Sequence, residues 1–238
     1  MAYIRFDNVV IKYGDHKVTH EFNCEIEKGQ IITLFGPSGC GKSSLMKALL
    51  NLIVPGKGKV FINTVEADKY KYIIGYVPQD NQLLPWQTLR ENVDLWRKES
   101  GNKKPFITDD ILELMELADH GHKHPSNLSG GMQRRASLAR GLATQTEILC
   151  LDEVLVSIER GLRKKIMMQM RKYIKKNNIS AILISHDYEE AVYMSDRIYV
   201  LSAAPTEILK TINILEAERD LSFFDSDAFE SYAQKMVS

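Results

Sequence analysis

The chain has 238 residues, 44% of them hydrophobic and 26% charged, so it is long enough to bury the core of one globular domain. Its 31 basic and 31 acidic side chains give a formal net charge of zero, which excludes the basic excess typical of nucleic-acid-binding proteins. The N-terminus lacks a signal-peptide pattern and no apolar run is long enough to cross a bilayer, so we expect a cytoplasmic protein.

Apolar runs alternate with helical patterns along much of the chain, and each run leads into a polar group. The predicted strands are 31–35, 73–77, 148–151 and 181–185. They lead in turn into a glycine-rich loop, Gln79, the pair Asp152 and Glu153, and His186. Predicted helices over 43–52, 159–176 and 187–194 separate the strands, which indicates an α/β fold with a mostly parallel sheet. Such sheets bind ligands at the carboxyl ends of their strands, so we expect these polar groups to share one rim.

The region 88–141 differs, because helical patterns replace the strand patterns there. Thr108, followed by two acids, has the pattern of an N-cap, and the helix after it is predicted to carry Ile111, Leu112, Met115 and Leu117. Earlier alternating segments, such as KVFIN at 59–63, predict a small antiparallel layer beside the main sheet. We therefore predict one domain over 1–238, with an inserted helical subdomain at about 88–141 and a short tail at 211–238.

Residues 36–44 read GPSGCGKSS and satisfy G-x-x-x-x-G-K-[ST] between a predicted strand and a predicted helix. Backbone N–H groups of this loop would surround phosphates, Lys42 would neutralise the β and γ oxygens, and Ser43 would bind Mg²⁺. The loop residues assigned to the nucleotide are Gly36, Pro37, Ser38, Gly39, Cys40, Gly41, Lys42, Ser43 and Ser44. The motif predicts a P-loop (RecA-like) core, and by itself it leaves kinases, GTPases and motor ATPases open.

The stretch ILCLDE at 148–153 delivers two adjacent acids to the end of a strand. Asp152 is predicted to hold Mg²⁺ through its water shell, and Glu153 to orient and polarise an attacking water. His186, after the strand AILIS, has two interpretations. It contacts a γ-phosphate and stabilises developing charge, or it is a structural histidine at a strand end.

The segment LSGGMQRR at 128–135 opens a predicted helix with a serine and two glycines. Free N–H groups and the helix dipole bind anions at such a start, so Ser129, Gly130 and Gly131 are predicted to contact phosphate. To reach the chain's own phosphate loop, the helical region would have to fold back across it. A second copy placed head to tail removes this difficulty, so that two chains enclose two nucleotides.

Together these motifs resemble those of the ATP-binding subunit of an ATP-binding cassette (ABC) transporter. In order they are GPSGCGKSS, YVPQD, LSGGMQRR, ILCLDE and ISHDYEEA, and they extend across nearly the whole chain. The resemblance implies ATP and Mg²⁺ as cofactors and ATPase activity. It further implies that Tyr13 stacks on adenine, that Gln79 links Mg²⁺ to the helical region, and that His186 is the switch histidine. On this interpretation the catalytic residues are Glu153, His186 and Lys42, and the metal ligands are Ser43, Gln79 and Asp152.

Two further stretches, NQLLPWQTLRENV and SDRIYVLSAAPTEIL, are similar to the ATPases of importers for nitrate, alkanesulfonates, taurine and some thiamine-precursor pyrimidines. In that group the segment 83–86 lies in the region that receives a coupling helix from the membrane subunit, and core packing is the alternative for its apolar side chains. The loop after Glu153 departs from the family, which has proline and then Ser-Ala-Leu-Asp. Here the loop contains Val154, Val156, Ser157, Ile158 and Glu159, which puts the coupling between two sites in question.

The expected partners are a second copy or a close relative, transmembrane permease subunits and, through them, a substrate-binding protein. The expected location is the inner face of the cell membrane. Nucleic acid is not expected, and the basic residues of the helix 159–176, including Arg163 and Arg171, are expected to form a solvated face. Two alternatives are a soluble mechanical clamp without a permease, and a regulatory cassette that hydrolyses weakly, which Ile158 and Glu159 motivate.

Overall fold

A computed structural model describes residues 2–70, 74–99, 108–144, 146–156, 158–216 and 219–237. The strands in this part of the chain are β1 Ile4–Val10, β2 Lys12–Tyr13, β3 His16–Lys17, β4 Phe22–Ile26, β5 Ile31–Phe35, β6 Lys57–Ile62, β7 Val65–Glu66, β8 Gly75–Val77, β9 Ile148–Asp152, β10 Ser180–Ser185, β11 Arg197–Leu201 and β12 Ile208–Asn213. The helices are α1 Lys42–Leu49, α2 Leu89–Glu99, α3 Thr108–Leu114, α4 Gly130–Ala143, α5 Arg160–Lys176, α6 Tyr188–Met194 and α7 Asp227–Val237. No helix among the described residues is both long and apolar enough to span a membrane.

The main sheet has six strands in the order β12-β11-β5-β10-β9-β8. The strands from β11 to β8 in this order are parallel, and the edge strand β12 pairs antiparallel with β11. Side chains of the central strands alternate between two cores: in β10, Ala181 and Leu183 belong to one core and Ile182 and Ile184 to the other. A parallel sheet covered on both faces is the architecture that the buried apolar strands predict, so the predicted α/β fold class is confirmed.

A second sheet is antiparallel, with the strand order β4-β1-β6-β7. It contains the predicted segment KVFIN, most of which lies in β6. Its buried face shares a core with α1 and the main sheet, in which the rings of Phe6 and Phe22 meet edge to face at 5.7 Å. This layer packs on α1, the helix that begins within the phosphate loop, and holds it against the main sheet.

The helices α2, α3 and α4 pack on one another in the region predicted to be helical. Ile111 and Leu112 lie in α3, but Met115 and Leu117 were wrongly assigned to that helix, which ends at Leu114. The helix stops there because Glu116 adopts a left-handed backbone conformation with φ 54°. Met115 and Leu117 are nevertheless fully buried. The prediction of an N-cap at Thr108 is wrong, because Thr108 lies within α3 and its hydroxyl donates to the carboxylate of Asp94.

The helix α5 is less solvated than its basic sequence predicts. Arg171 is buried, and its guanidinium donates to an oxygen of Asp196 at 2.8 Å and to the carbonyl of Met194. The side chain of Arg163 is also largely covered, with 14% of its surface exposed. These two arginines correct the prediction of a uniformly solvated face: they fasten α5 to the chain around α6.

The tail of the chain packs against α6. The ring of Tyr193, a fully buried residue of α6, stacks on Phe224 with 4.3 Å between the ring centroids. Phe223 and Phe229 complete this aromatic cluster. Because aromatic pairs bury a large area, the cluster fastens the tail to the helix that begins beside His186.

The helix α5 begins without a side-chain cap. Glu159 occupies the N-cap position, and its side chain makes no capping hydrogen bond. By contrast Asp187, the N-cap of α6, accepts hydrogen bonds from the backbone N–H groups of Glu189 and Glu190. A carboxylate one methylene shorter is the favoured N-cap acid, so α5 lacks a stabilising interaction that its position allows.

We therefore expect Glu159→Asp to raise the free energy of unfolding by about 1 kcal/mol, because the aspartate would accept a hydrogen bond from the first turn of α5. The thermal midpoint would rise by about 2–4 °C for a chain of this length, measured by circular dichroism. Glu159→Gln is the control and should leave the midpoint unchanged, because glutamine restores no cap. An unchanged midpoint for the aspartate variant would contradict the cap interpretation.

Candidate active site

The polar groups that follow four strands of the main sheet meet along one rim. Parallel pairing aligns Ser185 with Phe35, and Ile184 with Asp152, so the carboxyl ends of β5, β9 and β10 lie at one level. The strand β8 joins them, because Val77 pairs with Leu151. The loops that carry the predicted site residues 36–44, 79, 152, 153 and 186 therefore begin at this edge of the sheet.

The phosphate loop, residues 36–44, folds around the side chain of Lys42. Lys42 is buried, and its ammonium group donates to the carbonyls of Gly36 at 2.8 Å and of Pro37 at 2.7 Å. Gly39 and Gly41 have positive φ angles of 77° and 115°. A side chain at Gly41 would also lie 2.7 Å from Val18 and 2.9 Å from the Thr206 hydroxyl. The loop leads directly into the start of α1. The unpaired backbone N–H groups at a helix start favour the binding of an anion there.

Asp152 lies at the end of β9, opposite the phosphate loop. One of its oxygens accepts from the Ser43 hydroxyl at 3.4 Å and the other from the Tyr76 hydroxyl at 3.5 Å. Burial raises the pKa of Asp152, and the hydrogen bond from Ser43 opposes this shift. A buried carboxylate beside a hydroxyl is an oxygen donor set of the kind that Mg²⁺ prefers, so these residues fit a magnesium ion.

Glu153 is held between two other predicted site residues. The Gln79 side-chain amide donates to Glu153 Oε2 at 3.4 Å, and His186 Nδ1 lies 3.3 Å from Glu153 Oε1. The backbone of Glu153 has a φ of 48°, which is uncommon outside glycine, and its N–H donates to the carbonyl of Ile184. This backbone conformation turns the chain immediately after the strand, so that the carboxylate of Glu153 follows that of Asp152 at the rim.

Tyr13 lies beside the phosphate loop. Its hydroxyl is 3.3 Å from the hydroxyl of Ser44, and 51% of the residue is exposed. A half-exposed aromatic residue beside the phosphate loop is compatible with the stacking role that the resemblance implies.

The start of α4, in the segment LSGGMQRR, makes no contact by hydrogen bond with the phosphate loop among the described residues. Ser129 is the N-cap of α4 and accepts from the backbone N–H of Met132 at 3.3 Å. Ser129 and Gly130 are exposed, and nothing lies within 4 Å of a side chain added at Gly130. Among the described residues, the hydrogen bonds of 129–131 include none to residues 36–44. Gly131 is partly covered, and the three residues form an open helix start.

One buried residue of the site was not identified from the sequence. Arg134, in α4, is 3% exposed, and its guanidinium donates to backbone carbonyls of two rim loops. The acceptors and distances are Val154 at 2.8 Å, Pro78 at 2.8 Å, Gln79 at 2.6 Å, Glu153 at 2.9 Å and Asp152 at 3.3 Å. The one signal in the sequence is spacing, since Arg134 stands four residues before the buried Leu138 on the same helix face.

Known proteins share both the sequence pattern and the fold. A family model described as "ABC transporter" matches residues 19–156, which is more than half of the chain. The sulfate/thiosulfate import ATP-binding protein CysA of Synechocystis sp. is 32% identical, over 97% of this chain and 71% of its own length. The aliphatic sulfonates import ATP-binding protein SsuB of Bacillus licheniformis is 33% identical, over 98% of this chain and 92% of its own length. These two relatives match nearly the whole of this chain.

Two solved structures of ATP-binding cassettes have the same fold. A dimeric bacterial ABC transporter cassette superposes with a TM-score of 0.74 at 26% identity, covering 87% of this chain and 99% of that chain. A dimeric post-hydrolysis state bound to ADP and Pi gives a TM-score of 0.73 at 25% identity, with the same coverage. The fold and site define a P-loop nucleotide-binding protein. The chain belongs to the ABC transporter family, in which it is an ATP-binding subunit and an ATPase.

The phosphate loop offers a direct test of its geometry. Gly39→Ala adds only backbone strain, because nothing lies within 4 Å of the new methyl group, and we expect it to lower the free energy of unfolding by about 1–2 kcal/mol. Gly41→Ala adds strain and collides with Val18 and Thr206, so its loss should be larger. Urea denaturation measures both variants, and equal losses would show that the loop accommodates the collision.

Proposed function

We propose that the chain is the ATP-hydrolysing subunit of an importer, working as a head-to-tail dimer around two ATP molecules and driving a separate membrane permease. The observation that carries this proposal is the division of the phosphate-binding groups. The phosphate loop, Asp152, Glu153 and His186 share one rim, while the helix start at Ser129 is exposed and makes no hydrogen bond to that loop among the described residues. A second copy would supply Ser129 to the first copy's ATP.

In the proposed binding mode the nucleotide lies along the phosphate loop. The adenine stacks on Tyr13, and backbone N–H groups of residues 36–44 hold the phosphates at the start of α1. Lys42 exchanges its loop carbonyls for phosphate oxygens and neutralises their charge. Ser129, Gly130 and Gly131 of the second copy bind the γ-phosphate from the opposite side, because an open helix start carries unpaired N–H donors.

The same rim supplies the proposed chemistry. Glu153 accepts a proton from the attacking water, and its carboxylate is oriented by Gln79 and His186 at 3.4 and 3.3 Å. His186 also donates to the γ-phosphate and stabilises charge that develops there. Ser43, Gln79 and Asp152 would hold Mg²⁺. When bound, this ion neutralises phosphate charge and helps to align the β and γ groups.

The transported substrate is proposed to be a small oxyanion of the sulfate or sulfonate class. Support comes from the two import ATP-binding proteins that match nearly the whole chain. Trp86, in the segment proposed to meet the permease, is 72% exposed, so the core-packing alternative does not hold for this side chain. Leu83 packs partly against the core beneath it. The proposed location is the inner face of the cell membrane, and a substrate-binding protein would act through the permease.

The role of Glu153 is tested by Glu153→Gln. We expect phosphate release to fall by about a hundredfold or more, because the amide cannot accept the proton of the attacking water. ATP should still bind and should now hold the dimer together, which light scattering detects as a doubling of mass in saturating ATP. Hydrolysis at the wild-type rate, or a monomer in saturating ATP, would contradict the catalytic role or the dimer respectively.

The permease contact is tested by Trp86→Asp. A tagged wild-type chain, extracted from host membranes in mild detergent, should co-purify with a multi-span permease, and the charged variant should lose it because a desolvated charge opposes docking. Hydrolysis by the isolated variant should stay within about twofold of wild type. Leu215→Asp, at a side chain that is 83% exposed elsewhere on the surface, is the matched control and should retain the permease. Recovery of the wild type without any membrane protein would favour the soluble clamp.

A further inference from the structure

Arg134 occupies a position in which one side chain touches both loops that carry Gln79 and Glu153. Its Nη1 bonds the backbone of the loop after β8, and its Nη2 and Nε bond the backbone of the loop after β9. The Gln79 amide in turn donates to the Glu153 carboxylate. The two loops are therefore joined in two ways: Arg134 connects their backbones, and the side chain of Gln79 bonds the side chain of Glu153.

The cation is buried and makes no ion pair among the described residues, although carboxylates at longer range, those of Asp152, Asp80, Glu190 and Glu153, attract it. Among the described residues its hydrogen-bond acceptors are backbone carbonyls and the side-chain oxygen of Asn81, and no carboxylate lies within ion-pair distance. Burial lowers the pKa of Arg134, which reflects the unfavourable desolvation of its charge. A planar guanidinium offers five N–H donors in a fixed fork, so it can satisfy carbonyls of two loops from one point.

The next residue in α4 makes a different connection. Arg135 is 9% exposed, and its Nη1 donates to the carbonyls of Met115 and Glu116 at 2.8 and 2.7 Å. Both acceptors belong to the helical region. Two neighbouring arginines of one helix thus have separate tasks: Arg135 fastens α4 to its own region, and Arg134 fastens it to the catalytic rim.

We propose that Arg134 is a positioning residue that transmits the position of the α4 start, at Ser129, to Gln79 and Glu153. The inference rests on the proposed function, because it requires that Ser129 binds the second copy's ATP. When α4 moves on binding, the guanidinium of Arg134 moves with the helix. Its hydrogen bonds to the backbone carbonyls then move the two loops. The carboxylate of Glu153 then reaches the water-activating position only when the opposing nucleotide is engaged.

The experiment compares Arg134→Met with Arg135→Met in the full chain. Both changes remove a buried guanidinium from the same helix and both should lower the thermal midpoint. We expect Arg134→Met to lower kcat by about tenfold or more, with KM for ATP within about threefold, because the loops lose their alignment while the phosphate loop is untouched. Arg135→Met should keep kcat within about twofold. Arg134→Lys should recover only part of the lost kcat, because one ammonium group reaches fewer carbonyls than a guanidinium does.

A second measurement reports position without hydrolysis. Hydrogen exchange of the backbone amides should accelerate at 79–82 and 152–156 in Arg134→Met, and at 115–117 in Arg135→Met. In the Glu153→Gln background, Arg134→Met should still dimerise in saturating ATP, since Ser129 is retained. Equal loss of kcat in both methionine variants, or unchanged exchange at 79–82 and 152–156 in Arg134→Met, would overturn the positioning role. Failure of the wild type to hydrolyse ATP would instead refute the proposed function, while the exchange data would still show whether Arg134 holds the two loops in place.

Discussion

The parallel pairing of β5, β9 and β10 is the constraint on which the site depends. In-register parallel strands must end together, so the loops after them start from one line whatever their later sequence. Both faces of these strands are buried, which fixes the register because a slip of one residue would exchange the two cores. The phosphate loop, the two acids and the histidine are therefore brought together by the sheet before any contact among their own side chains is made.

Parallel pairing brings the starts of the loops together but does not hold the loops themselves, because residues 78–79 and 153–154 follow the last paired residues of β8 and β9. Arg134, in α4, supplies hydrogen-bond donors to the loop carbonyls. Burying its charge has an unfavourable desolvation free energy. An apolar side chain at that position would leave five carbonyls without this partner. Arg134 therefore connects α4 directly to the two rim loops at a buried position of the helix.

The rim could be predicted from the sequence because its signals are local: an apolar strand followed by GPSGCGKSS or by Asp152 and Glu153 is visible within ten or so residues. Arg134 could not be predicted in this way, since the acceptors Val154 and Pro78 lie 20 and 56 residues away in the chain. The end of α3 was missed for a related reason, because Met115 and Leu117 continue the apolar pattern while the backbone at Glu116 has already left the helix. The buried arginines of α5 show the same limit, as composition predicts a solvated face and only packing reveals Asp196 beneath Arg171.

The loop after Glu153 departs from the family pattern, but contacts at both of its ends hold it in place. Its beginning is fixed by the bond from Arg134 to the carbonyl of Val154. Its end is fixed through α5, where Arg163 lies 3.0 Å from Asp187 and 3.6 Å from the fully buried Glu190, whose pKa burial raises to about 7. Asp187 adjoins His186, so both ends of the loop are tied to residues beside the proposed catalytic pair. Val156, half exposed between these anchors, can therefore differ from the family without displacing Glu153 or His186. If the dimer has the proposed head-to-tail form, a change there alters the contact with the second copy while the chemistry within each rim is preserved.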